Sequence, residues 1–246
     1  MKDTVNNSIG NFVYANSFHS FAPRKAMHQP NGEAIPQQSS ESKERIVSSV
    51  TDLIYRFGVK SITMDDVARH LAVSKKTLYR YFADKNDMVY QCCLYDLDKR
   101  KAAFATIQAK AVDSVQELVL MMENMQTMLS SINPNLLFEV RKYHQQAWQI
   151  YVEFKEQFMM QSISNNLIRG MEAGIYREDL NVRILARLRL EEVEMGFNPD
   201  VYPSTKFHLK DVQMGLFDHF LHGITTPKGQ KLIQRYKNQE DGKQQL

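Results

Sequence analysis

Residues 63–85 read TMDDVARHLAVSKKTLYRYFADK, and the rest of the chain is best read outward from them. Thr63 precedes Met64-Asp65-Asp66-Val67, the pattern of a helix N-cap followed by acidic residues that the helix dipole favours. Val67 and Leu71 lie four apart and mark a short helix. Ala72-Val73 form a turn, and Ser74 caps a third helix whose apolar positions, Leu78 and Phe82, are again four apart. Asp84 caps a fourth helix from Lys85 to about residue 108. Upstream, Ile46, Val50, Leu53, Ile54 and Phe57 form one stripe of a helix that Gly58 ends. Helices of about 16, 8 and 7 residues joined by short turns make a helix-turn-helix unit.

The third helix leaves Lys75, Lys76, Thr77, Tyr79, Arg80 and Tyr81 to project. Cations neutralise phosphates, Thr touches a phosphate or a thymine methyl, and Tyr donates to phosphate oxygen. Between residues 69 and 85, Arg69, Lys75, Lys76, Arg80 and Lys85 face only Asp84. Such a patch suits a polyanion, although charge alone favours a solvated helix face, and it is the residue pattern that shifts the balance.

Residues 42–90 resemble the DNA-binding domain of the TetR/AcrR family of bacterial transcription regulators. The resemblance rests on ITMDDVARHLAVSKKTLYRYF and the following DKNDMV. One departure is Ala72, where the family usually has Gly, and Ala at positive φ costs of order 1 kcal/mol. The resemblance implies that Thr63 and Lys85 contact phosphates. It also implies that Lys75, Lys76, Thr77, Tyr79 and Tyr81 enter or flank the major groove, with Arg80 beside them.

Composition agrees with a helical protein. The 246 residues contain only 10 Gly and 7 Pro, and 31 Lys and Arg against 28 Asp and Glu give a net charge of +3. That charge is low for a non-specific nucleoid protein. No apolar run approaches the ~18–20 residues needed to span a bilayer, so no membrane partner and a cytoplasmic location are expected. Cys92 and Cys93 are adjacent and cannot staple distant segments; they pack, or less simply sense oxidants. His219 and His222 lack the companions of a metal site. No Gly-rich phosphate loop or nucleophile elbow is present, so neither an enzyme nor a cofactor is expected.

The expected architecture is all-α. A tail over residues 1–40 precedes the helix-turn-helix domain at 41–90, and Met27 is an alternative start. A helical effector-binding and dimerisation domain covers 109–238, and a polar tail covers 239–246. The periodicity predicts a long helix from about Trp148 to Gly174 and helices near 180–197, 206–223 and 227–237. The helix at 206–224 has two apolar stripes. It therefore needs two covers, its own domain and the same helix of a twin chain, or else it is wholly internal. The first option gives a homodimer, the assembly the family also uses, with Leu188, Met214, Phe217, Leu221 and Ile224 at the interface. A dimer would read a palindromic operator in double-stranded DNA.

The Met- and aromatic-rich stretch 109–178 is where the resemblance implies a pocket for a small-molecule effector. Its expected lining is Met122, Met125, Phe138, Tyr143, His144, Tyr151, Phe154 and Phe158, with Arg141 and Gln145 as further polar anchors. The function expected is a sequence-specific transcription regulator, most often a repressor released from its operator by an effector. The alternative is a helical small-molecule-binding protein or enzyme with a vestigial DNA-binding domain.

Overall fold

The first helix, α1 (Gln38–Phe57), buries Val47, Val50, Leu53 and Ile54 on one face. Phe57, assigned to the same stripe by its spacing, is instead 54% exposed at the helix end. The structure is a computed structural model. It describes the backbone of residues 38–244 and the side chains of residues 42–238. The expected N-terminal tail therefore lies outside the described residues, except for its last three, which open α1. Gly58 ends α1 at φ +75, and its N–H closes on the Ile54 carbonyl at 2.8 Å.

Thr63 caps α2 (Met64–His70) through a reciprocal capping box. Its hydroxyl accepts from the Asp66 N–H, and the Asp66 carboxylate accepts from the Thr63 N–H at 3.0 Å. The turn to α3 (Lys75–Leu78) passes through Ala72 at φ 53, the only non-glycine with positive φ among the described residues. A Cβ in this region costs about 1–2 kcal/mol, and a glycine would return about 0.4–1 kcal/mol of that as unfolded-chain entropy. Ala72→Gly is therefore expected to stabilise the chain by about 0.5 kcal/mol, read as a higher urea midpoint at unchanged slope.

Helix α3 is shorter than the seven residues its sequence suggests. After Leu78 the chain tightens into i→i+3 turns, Arg80 N–H to Thr77 carbonyl and Tyr81 N–H to Leu78 carbonyl. Leu78 and Phe82 are both fully buried and clamp this short segment from either end. Asp84 then caps α4 (Lys85–Lys110), which packs against α1.

Beyond α4 come α5 (Ser114–Leu129), α6 (Leu136–Tyr143) and α7 (Gln145–Glu153). His144, at φ −131 and ψ 70, breaks the path between α6 and α7. The helix predicted from Trp148 begins three residues earlier and is interrupted. Phe154–Met159 forms a π-helical stretch before α8 (Met160–Glu172) resumes the normal winding. Asn181 caps α9 (Val182–Gly196), and α10 (Leu209–Ile224) and α11 (Pro227–Gln244) follow. Helix α11 continues through most of the expected polar tail.

Two apolar cores result. One joins α1 to α4 with Leu136 and Ala147; the other joins α5 with α8 to α11. Between them residues 133–144 seat the helix-turn-helix. The Asn133 N–H donates to the Tyr55 carbonyl at 2.6 Å, and Glu139 accepts from the Lys60 N–H at 2.9 Å. His144 Nδ1 meets Asn86 Oδ1 at 2.8 Å, in the first turn of α4. No helix among the described residues is long and apolar enough to cross a membrane.

Candidate nucleic-acid interface and inner cluster

The residues expected to touch DNA share one surface but differ in readiness. Lys76, Tyr79 and Arg80 are exposed, and neither Lys76 nor Arg80 has a partner among the described residues. Lys75 is exposed but bridges to Asp65 on α2 at 2.7 Å, a contact that holds its ammonium above the usual lysine range. The Thr77 hydroxyl turns back on the cap, 2.9 Å from Ser74 Oγ. The Thr63 hydroxyl donates to Asp66 at 2.6 Å. Tyr81 is half-buried against the first core.

Lys85 differs most from expectation. Its ammonium donates to the Ile62 carbonyl at 2.6 Å, and burial depresses its pKa. A local count of charge could not show these pairings, because Asp65 lies ten residues before Lys75 and Ile62 contributes a backbone group.

The residues expected to line an effector pocket are not brought together. Phe138 and Tyr143 are exposed. His144 is buried against Asn86, and burial followed by the Lys85 charge lowers its pKa, so it faces the helix-turn-helix and not the middle of the bundle. Met122 is buried in the second core, with Met125 packed against it. Phe154 and Phe158 do meet, stacked at 5.2 Å between centroids, with Phe104 edge-on to Phe158 at 5.5 Å. Tyr151 packs on Trp148 at 5.1 Å.

Sequence reasoning missed a polar cluster on α4. Arg100 Nε donates to Asp96 at 2.6 Å, and its Nη2 donates to the Tyr55 hydroxyl at 3.0 Å and approaches Met128 Sδ at 2.8 Å. The spacing of Asp96 and Arg100, one turn apart, was the available signal. On the far side Lys155, buried within the π-helical stretch, pairs with Glu194 at 2.6 Å and Glu191 at 3.5 Å. The Cys92 and Cys93 thiols are pushed up to about 12 by burial, so neither forms appreciable thiolate at neutral pH.

The residues expected at a dimer interface divide as well. Phe217, Leu221 and Ile224 are buried in the chain's own second core, so both apolar stripes of α10 are largely covered from within. Met214 is half-buried, its sulfur 3.1 Å from Gln126 Nε2. Leu188 is exposed, as are Ile184 and Met195 on the same helix. On α10 the exposed positions are Lys210, Asp211, Gly215, His219, His222 and Gly223.

Residues 46–92, which hold the capped turns and the exposed segment after Ser74, match the family described as bacterial regulatory proteins, tetR family. Residues 46–92 are thus a TetR-family DNA-binding region by that match. An uncharacterized HTH-type transcriptional regulator of Bacillus subtilis, YvaF, is 24% identical over 184 residues, 74% of this chain and 95% of that protein. HTH-type transcriptional regulators of Staphylococcus aureus include one 36% identical over 62 residues, 25% of this chain and 34% of its own. Among solved structures, a TetR-family regulator from Agrobacterium tumefaciens superposes with a TM-score of 0.63 at 16% identity, covering 76% of this chain and 99% of that one. A putative transcriptional regulator from Saccharomonospora viridis, in complex with choline, gives the same TM-score at 18% identity and the same coverage. These structural likenesses show the fold. The matched region, and the HTH-type regulators among the relatives, support DNA binding as the role of residues 46–92.

Proposed function

We propose that this protein is a TetR-type, sequence-specific repressor that binds a palindromic operator as a homodimer and leaves it when a small-molecule effector binds. Residues 41–90 read the DNA, and residues 109–238 hold the effector and the partner. The observation that carries the reading is the segment after Ser74. Lys76, Tyr79 and Arg80 project from a backbone that Leu78 and Phe82 hold rigidly, both fully buried.

Lys76 and Arg80 meet phosphates with no internal contact to surrender. Lys75 must leave Asp65, and Lys85 must leave the Ile62 carbonyl, before either ammonium reaches DNA. Thr63, Thr77, Tyr79 and Tyr81 complete the contact surface. The dimer forms through α9 and α10, with Leu188, Ile184 and Met195 against the small outward face at Gly215 and Gly223. This replaces Phe217, Leu221 and Ile224, which serve the chain's own core, and leaves Met214 at the margin.

The test is a titration of duplexes from upstream of the protein's own gene at several salt concentrations. Lys76→Ala and Arg80→Ala are each expected to weaken binding about tenfold and to reduce the salt slope by about 1. Asp65→Asn is expected to tighten binding a few-fold, because it frees Lys75 and removes a negative charge from the surface. Weak binding that ignores sequence and all three substitutions would refute the reading.

A further inference from the structure

His144 and Lys85 lie within electrostatic reach of each other, where the break between α6 and α7 meets the first turn of α4. Each is tied in place. His144 is 8% exposed, and its Nδ1 is held 2.8 Å from Asn86 Oδ1. An amide oxygen only accepts, so Nδ1 carries the proton and Nε2 is the basic nitrogen. Lys85, the residue before Asn86, folds inward with its ammonium 2.6 Å from the Ile62 carbonyl.

The other charges around the ring are engaged elsewhere. From α6, the Glu139 carboxylate accepts from the Lys60 N–H at 2.9 Å, and Lys60 itself is exposed. Arg141 lies over the Trp148 ring, and Lys142 over the rings of Phe138 and Tyr143. Beside α4, Asp84 accepts from the Asp87 N–H, and Asp87 accepts from the Ala83 N–H, both at 2.8 Å. The first turn of α7 carries no charge. Burial and the Lys85 charge outweigh the pull of Glu139 and Asp84, so the imidazole titrates below its ordinary range.

A proton on Nε2 puts two cations into one partly buried corner. Asn86 holds the ring, and the turn between two helices holds its backbone. Lys85 has a flexible four-carbon stem and lies beside the surface that Lys76 and Arg80 share. The ammonium is therefore the group that yields.

We propose that His144 is a proton-driven release for Lys85: the neutral imidazole lets the ammonium stay on the Ile62 carbonyl, and the imidazolium sends it outward to a DNA phosphate. The inference rests on the phosphate contact proposed above for Lys85 and adds a regulation of that contact by pH. Linkage gives the direction. With Lys85 on a phosphate, the imidazole loses its repelling neighbour and its pKa rises, so DNA binding takes up a proton. The added affinity is fully present below the free-state pKa and is lost as pH rises through the bound-state pKa. Acidification thus tightens DNA binding.

The experiment uses the full chain and has two arms. Without DNA, the His144 ring Cε1–H and the Ile62 carbonyl carbon are followed by NMR from about pH 8 to about pH 5. Both are expected to titrate with one midpoint, below about 6.5. His144→Asn, which keeps a donor for Asn86, is expected to leave the Ile62 signal flat. Lys85→Gln is expected to raise the His144 midpoint by about half a unit. With the upstream duplexes at constant salt, wild type is expected to gain about fivefold more affinity than His144→Asn over the same pH range. His70, exposed on α2, titrates in both chains and cancels.

An unmoved His144 midpoint in Lys85→Gln, or an Ile62 signal that ignores His144, overturns the release with or without DNA. Equal pH dependence of DNA binding in wild type and His144→Asn overturns its role at the operator. If no duplex binds at any pH, the DNA-binding reading fails, and the titrations of the free chain still decide the release. If His144→Asn does not fold, the His144 midpoint in Lys85→Gln decides alone.

Discussion

Phe82→Ala is expected to abolish operator binding while much of the helical content survives. Phe82 is fully buried, and removing such a ring costs about 3–5 kcal/mol. The loss falls on the first core, where Phe82 packs with Leu78, Val67 and Met88. Helix α3 has four residues and cannot persist by itself, because a single turn repays little of its nucleation cost. The exposed Lys76, Tyr79 and Arg80 are useful only while the backbone beneath them is fixed. The second core contains none of these residues, so α5 and α8 to α11 should keep their circular-dichroism signal. Wild-type DNA affinity in Phe82→Ala would contradict this account of the recognition segment.

Gly170→Ala is expected to destabilise the other half of the chain by about 3–5 kcal/mol. A Cβ on Gly170 would lie 2.0 Å from Cδ2 of Tyr176. That ring cannot step aside, because Tyr176 is 1% exposed and its hydroxyl is held 2.9 Å from both the Ser114 carbonyl and Asn166 Oδ1. The cost combines overpacking, about 1–3 kcal/mol, with the strain or loss of a buried hydrogen bond, about 1–3 kcal/mol. Urea denaturation measures it. Tyr176→Phe should be milder, because the Ser114 carbonyl keeps its bond from Asn166 Nδ2 at 3.0 Å. A Gly170→Ala midpoint close to wild type would show that the α8–Tyr176 contact is looser than the structure has it.

What the sequence revealed about this protein was local. Thr63, Ser74 and Asp84 each accept from the N–H three residues on, as their positions before apolar periods predicted. Those bonds depend only on neighbouring residues. The positive φ at Ala72 was expected from the resemblance, because that position of the turn usually holds Gly in the family.

What it concealed depended on distant partners. The two stripes of α10 looked like one inner and one outer face, but α5 and α9 pack against that helix, and Lys237 of α11 reaches its Asp218 at 2.6 Å. Its outward positions carry Gly215 and Gly223, which add nothing to an apolar count. The π-helical stretch at Phe154–Met159 leaves the apolar spacing nearly intact, so periodicity passed over it. Lys75, by its pattern a free cation, is paired with Asp65 across the turn.

The central claim is that paired, exposed recognition segments read symmetric DNA. Selection of bound duplexes from a random-sequence library, using the purified full chain, tests it with no operator sequence assumed. One inverted repeat, bound by two chains, is expected to be enriched, and the Lys76→Ala, Arg80→Ala double variant is expected to lose that enrichment. Enrichment of no sequence, of a lone asymmetric site bound by one chain, or of the same repeat by the double variant would contradict the claim.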